Sequence, residues 1–251
     1  MTAAFYVNYL SKNELRYAPT SCAEMRINMI KDLKLACHLI KFGLAFKMEL
    51  FFGILFAVIG IVTEFFTKGA TFVGGFYIVL SVFMIFQLIL SLDLSTLIQS
   101  SGYRRKIQLT FPYLVVVPLM LIAFTIVVIL HVSFIYTGVE GYSADDNLLM
   151  QTQYLLLLGF TLFLTQIYFG VCYKYFLLST IALVVTIMPA ILVINVFSFV
   201  TDICSSLPLT ILLSYFLVLA GSALSYLLSA CLYRKDLSKS VFQSALKRAM
   251  R

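Results

Sequence analysis

The side chains that could do chemistry in this sequence are few, and most of them border long apolar runs. An ionisable group inside a membrane span is functional by default, because burying a charge there is costly. Glu49 and Glu64 lie near the two ends of the first run, where an interface would hydrate them. Asp93 closes the second run, and His131 stands near the end of the third. His131 could be a proton site, but at that depth it reads rather as an interfacial histidine. Deeper positions hold only the weaker polar groups Gln87, Gln166 and Asn195. Such amides bond between helices more often than they bind substrate. Nothing in this set resembles a proton relay or an ion pathway, which counts against an ion-driven transporter.

Signatures of catalysis are missing. Gly141-Tyr-Ser143-Ala lacks the second glycine and the strand–turn–helix setting of a nucleophile elbow. No H-E-x-x-H and no aspartyl pair occurs, and no G-x-x-x-x-G-K-[ST] loop is present to cradle nucleotide phosphates. The chain is expected to be no enzyme and to hold no cofactor. Cys22, Cys37, Cys172, Cys204 and Cys231 form no C-x-x-C pair and have no histidine cluster nearby, so neither a metal site nor an intrachain disulfide is expected.

The elements that must position these residues follow from composition. Of 251 residues, 62% are hydrophobic and 12% charged, against roughly 45–50% and about 25% in soluble domains. Too few charges remain to coat a soluble surface. In lipid every backbone polar group must be paired internally, which leaves helices or a closed barrel. The runs show no period-2 alternation, which selects helices. A hydrocarbon core of about 30 Å needs roughly 20 helical residues. Six runs qualify, at about Met48–Phe66, Thr71–Leu92, Phe111–Tyr136, Leu148–Cys172, Phe176–Val200 and Leu209–Leu232. The expected fold is all-α: a polytopic membrane protein with six transmembrane helices and a cytoplasmic interfacial helix before the first.

With six spans, 17 of the 18 Lys and Arg residues fall on one side, leaving Lys68 opposite. That side is cytoplasmic by the positive-inside rule, which puts both termini inside and Glu140, Asp145 and Asp146 outside. The net charge of +7 then reads as a topology signal and an attraction to anionic lipid, not as a nucleic-acid patch. The expected location is the plasma membrane, with lipid as a partner and no nucleic acid.

The chain divides into an N-terminal extension (1–24), an interfacial helix (25–47), the six-helix domain (48–232) and a basic tail (233–251). In the second segment Lys31, Lys34, His38 and Lys41 share one helical face, with apolar residues around the rest. Between runs two and three, Leu94, Leu97 and Ile98 lie at helical spacing. A Ser100-Ser-Gly102 break follows, then Tyr103, Arg104 and Arg105. Two readings fit this loop: a short helix that docks on a cytoplasmic partner, or an ordinary stop-transfer basic cluster.

Three stretches carry a family likeness. Met29-Ile-Lys-Asp-Leu-Lys34 opens the interfacial helix, Gln99-Ser-Ser-Gly-Tyr-Arg-Arg-Lys-Ile-Gln108 fills the middle loop, and Leu224-Ser-Tyr-Leu-Leu-Ser-Ala-Cys-Leu-Tyr-Arg-Lys-Asp-Leu237 leaves the last run. From about Met29 onward the pattern resembles the membrane subunit of a type-2 ATP-binding-cassette exporter. It is similar to the small six-helix permeases that include the exporter of phenol-soluble modulins. Residues 1–24 look like an extension the family usually lacks.

The resemblance implies a half-transporter in which two permease copies, identical or related, assemble with two cytoplasmic ATPases that hold the ATP and magnesium. It implies that Leu94, Leu97, Ile98, Tyr103, Arg104 and Arg105 seat on the ATPase. Spans two and five would line part of the substrate path, with Gly74, Gly75, Gln87, Pro189 and Asn195 as the candidate positions. The substrate would be amphipathic or lipophilic: a peptide, an antimicrobial or a lipid-like molecule. The competing expectation is a non-transporting membrane scaffold or sensor that binds a cytoplasmic partner.

Overall fold

The computed structural model describes residues 31–38, 40–41, 46–93, 108–172, 174–196 and 206–232. Among them no strand occurs, and six long helices carry almost every residue. They are α1 (Phe46–Thr67), α2 (Val73–Asp93), α3 (Phe111–Thr137), α4 (Ala144–Cys172), α5 (Phe176–Val196) and α6 (Leu207–Leu232). Their bounds fall within a few residues of the six apolar runs. α1, α3, α4 and α6 are long and apolar enough to cross a membrane, which suggests a multi-pass membrane protein. Residues 31–38 are also helical, and Ala36, buried there, joins the core of the bundle.

Two seams hold the helices together. α1 lies along α2, and α4 lies along α6. α2 and α3 join the pairs through contacts on each other and on α4, while α5 leans on α4. Lipid is as apolar as a leucine side chain, so close packing and interhelical hydrogen bonds must hold such helices in register. The α4–α6 seam supplies both. The buried residues of α6, Thr210, Ser214, Val218, Gly221, Ser225 and Ser229, form one small-residue stripe. Gly159 meets the Ser214 backbone and Gly170 meets Ser225 so closely that a Cβ would stand 3.0 Å and 2.6 Å from the nearest atoms. Gln166 Nε2 donates to the Val218 carbonyl at 2.9 Å, and Ser222 Oγ donates to Gln166 Oε1. Gln166 thus bonds between helices, as its depth in the run predicts.

α3 is tied to α6 by hydroxyls: Tyr113 OH lies 2.6 Å from Ser229 Oγ, and Thr125 Oγ1 lies 2.8 Å from Tyr215 OH. Phe86 stacks on Phe169, which fixes α2 against α4. Outward-facing apolar side chains such as Phe51, Ile54, Ile129, Leu178 and Phe216 remain exposed, as lipid-facing positions would be. Pro112 and Pro208 stand in the first turns of α3 and α6, while α3 continues through Pro118 and α5 runs unbroken past Pro189.

The short α1–α2 and α3–α4 connections share one end of the bundle, called here the hairpin end. α1 stops there in a Schellman turn, with Gly69 N–H donating to Glu64 O and Lys68 N–H to Phe65 O. Lys68 occupies the left-handed region at φ 50°, unusual for a residue with a Cβ. α4 starts at a serine cap: Ser143 Oγ accepts the Asp146 N–H at 3.2 Å and donates to Asp146 Oδ2 at 2.6 Å. That cap occupies the hydroxyl of the Gly141-Tyr-Ser143-Ala segment.

Candidate functional site

The residues that collect at the hairpin end are the ionisable ones. Along α1 the buried positions are Glu49, Gly53, Gly60 and Glu64, a single stripe turned toward α2. Glycines on that stripe let the helices approach: a Cβ on Gly60 would lie 2.9 Å from the Gly74 carbonyl oxygen. The approach carries Glu64 over the first turn of α2. Gly74 leaves the hole that its side chain fills, since a Cβ there would stand 2.6 Å from Glu64 Cγ. The Gly75 N–H donates to the carboxylate. A free N–H and the positive end of the α2 dipole both favour negative charge at that point.

The rest of the pocket comes from α3 and α4. His131 Nε2 lies 3.6 Å from Glu64 Oε2, and the two side chains are 3% and 1% exposed. From α4, Gln151 lies against the His131 side chain. Its Nε2 donates to the Lys68 carbonyl at 3.0 Å and reaches Asn147 Oδ1 at 3.4 Å. Asn147 Nδ2 donates to the Phe134 carbonyl at 3.1 Å, which binds the start of α4 to the end of α3. Tyr154 OH donates to the Ala70 carbonyl at 3.3 Å. Three buried atoms here have no hydrogen-bond partner: Glu64 Oε2, His131 Nδ1 and Gln151 Oε1.

This geometry corrects the interfacial reading of Glu64 and His131. Both side chains are buried among the helices, and they face one another. Glu49, at the opposite end of α1, is buried as well. The run of residue types around Glu64 and His131 does not reveal this, because burial depends on four helices meeting at one level. Gln151, Asn147 and Tyr154 belong to the pocket without having been singled out by the sequence. The spacing of Asn147 and Gln151, one helical turn apart at the start of a span, is the signal that points to them.

Of the positions expected along a substrate path, Gly74, Gly75 and Gln87 are among the described residues with their side-chain surroundings. Gly74 and Gly75 sit at the hairpin end, buried beneath Glu64 and beside Leu158. Gln87 is half-buried near the other end of α2, about 20 Å away at about 1.5 Å per residue. Pro189 and Asn195 lie on α5, and their side chains fall outside the described residues, as do Leu94, Leu97, Ile98, Tyr103, Arg104 and Arg105. An open apolar cleft of about 280 Å³ separates α4 from α5, lined by Leu164, Tyr168, Val171, Leu178, Leu183 and Thr186 among others. Among the described residues no cluster of three or more His, Cys, Asp or Glu could hold a metal ion.

No protein-family model matches the chain, and neither a curated protein nor a solved structure matches it.

Proposed function

We propose that this chain is the six-span permease subunit of an ATP-driven exporter, set in the plasma membrane with both termini in the cytoplasm. α2 and α5 complete the six spans, and residues 25–47 form an interfacial helix on the inner face. ATP and magnesium belong to a separate cytoplasmic ATPase, and a second permease copy completes the transporter. The cargo is amphipathic or lipophilic. The observation that carries this reading is the sequence of Leu94–Arg105, in which Leu94, Leu97 and Ile98 stand at helical spacing before a Ser-Ser-Gly break and a basic cluster, among the cation-rich segments of the chain. Two further facts support it. The sequence holds no phosphate-binding loop of its own, and the cleft between α4 and α5 is apolar and large enough to admit an alkyl chain. A scaffold or sensor would share the helices and the loop, but would have no need of an ATPase.

The test is the double substitution Leu97→Asp with Ile98→Asp. An interfacial helix face is read at i, i+3 and i+4 spacing, and two carboxylates there disrupt a partner groove. The variant should reach the membrane in normal amount, lose co-purification of an ATPase and lose export. Unchanged ATPase association and transport would leave the loop a plain connector and remove the main support for the exporter.

A further inference from the structure

We propose that Glu64 and His131 form a proton-binding site inside the bundle, in which one proton is held between Glu64 Oε2 and His131 Nε2 and sets how firmly α1 docks against α3. The inference stands apart from the exporter reading and needs no ATPase.

Charge and geometry both lead to it. Among the described residues, the titratable groups facing Glu64 are His131 from α3 and Tyr154 from α4, while α2 offers the Gly75 N–H. Lys68, the nearest cation of the connection, points its ammonium group outward to Glu140 at 3.5 Å. A net charge enclosed in a membrane protein is expensive. The pair has one state without net charge, in which it holds a single dissociable proton, as Glu–OH with neutral imidazole or as carboxylate with imidazolium. Removal of that proton to bulk water leaves one negative charge, offset only by the Gly75 N–H and the end of α2. Addition of a second leaves one positive charge.

The unpartnered atoms agree with this assignment. Gln151 is oriented by its two donated bonds, to Lys68 O and to Asn147 Oδ1, so its Oε1 remains as an acceptor beside the imidazole. Nδ1–H is the complementary donor on the ring. With the ring proton on Nδ1, Nε2 presents a lone pair to Glu64 Oε2, and the shared proton completes that contact. The separation of 3.6 Å is slightly longer than a hydrogen bond and closes with a small shift of either side chain. α1 rests mainly on α2, so among the described residues this pair is a polar link between α1 and α3, beside the apolar contact of Phe65 edge-on to Phe134 at 6.3 Å.

The experiment is an infrared pH titration of the full chain in lipid vesicles, paired with thermal unfolding across the same pH range. Wild type should show a carboxylic-acid C=O band that changes with pH, together with a pH-dependent melting temperature. Glu64→Gln, which mimics the protonated carboxyl, should abolish the band and flatten the melting profile. In His131→Gln only Glu64 can carry the proton, so the same band should gain intensity over wild type at equal pH. That arm also decides the matter if Glu64→Gln does not fold. An identical titration in wild type and Glu64→Gln would overturn the proposal. So would a His131→Gln chain lacking the band, or a wild-type signal that follows sodium at fixed pH instead of pH.

Discussion

Gly74 shows how one hydrogen atom in place of a methyl group makes room for a buried carboxyl group. Its missing Cβ is the space occupied by Glu64 Cγ and the carboxylate. Gly74→Ala should therefore destabilise the protein by about 1–3 kcal/mol, the usual cost of overpacking a tight site, read as a lower unfolding midpoint in detergent. The cause can be isolated by a double-mutant cycle. Glu64→Ala removes the atoms that clash, so the Gly74→Ala penalty should shrink markedly in that background, with a coupling of about 0.5–3 kcal/mol. Additive effects would show that Gly74 packs independently of Glu64. The sequence offered the glycine pair only as candidate path positions, with no hint that Glu64 packs onto them. The partner of Glu64 was equally hidden, since His131 lies in a different apolar run and nothing local links the two.

At the level of elements, the helices themselves were legible. Apolar runs of the required length located α1 to α6 to within a few residues, because a helix that meets lipid is apolar over most of its length and the runs end where polarity returns. The same property hides which face packs inward. Leu155 and Leu158 are buried while Leu177 and Leu178 are exposed, and residue type does not distinguish them. Only small residues and amides betray the seams, as the α6 stripe and Gln166 do. Helix ends follow ordinary backbone rules. Lys68 sits at the left-handed position of the Schellman turn that closes α1, which costs a residue with a Cβ about 1–2 kcal/mol. Its ion pair with Glu140 is exposed, and such pairs contribute little. Lys68→Gly is expected to raise stability by roughly 1 kcal/mol, measurable as a higher melting temperature. A fall on substitution would mean that the ammonium group does more at the surface than its exposure suggests.

For the molecule as a whole, orientation rests on the distribution of cations. If the hairpin end faces outward, a cysteine at Asp145, in the first turn of α4, should react with an impermeant thiol reagent applied to intact cells. A cysteine at Ser101 should react only after the membrane is opened. Labelling of Ser101→Cys in intact cells would reverse or break the six-span arrangement.

The position of α4 also dictates an order of birth. Ribosomes deliver α4 to the membrane before α6 exists, yet Gln166 finds its partners, Val218 O and Ser222, only on α6. Until then an amide and the bare backbone at Gly159 and Gly170 face acyl chains, where unpaired polar groups are poorly tolerated. A nascent chain arrested before Leu207 should therefore be held by the insertion machinery or handed to membrane proteases, and its half-life in a pulse-chase should be much shorter than that of the full chain. Gln166→Leu should prolong the survival of the arrested form. If both truncated chains persisted like the complete one, the amide would be no liability to the unfinished protein. The bond that fixes the register of the finished bundle thus also serves as its certificate of completion.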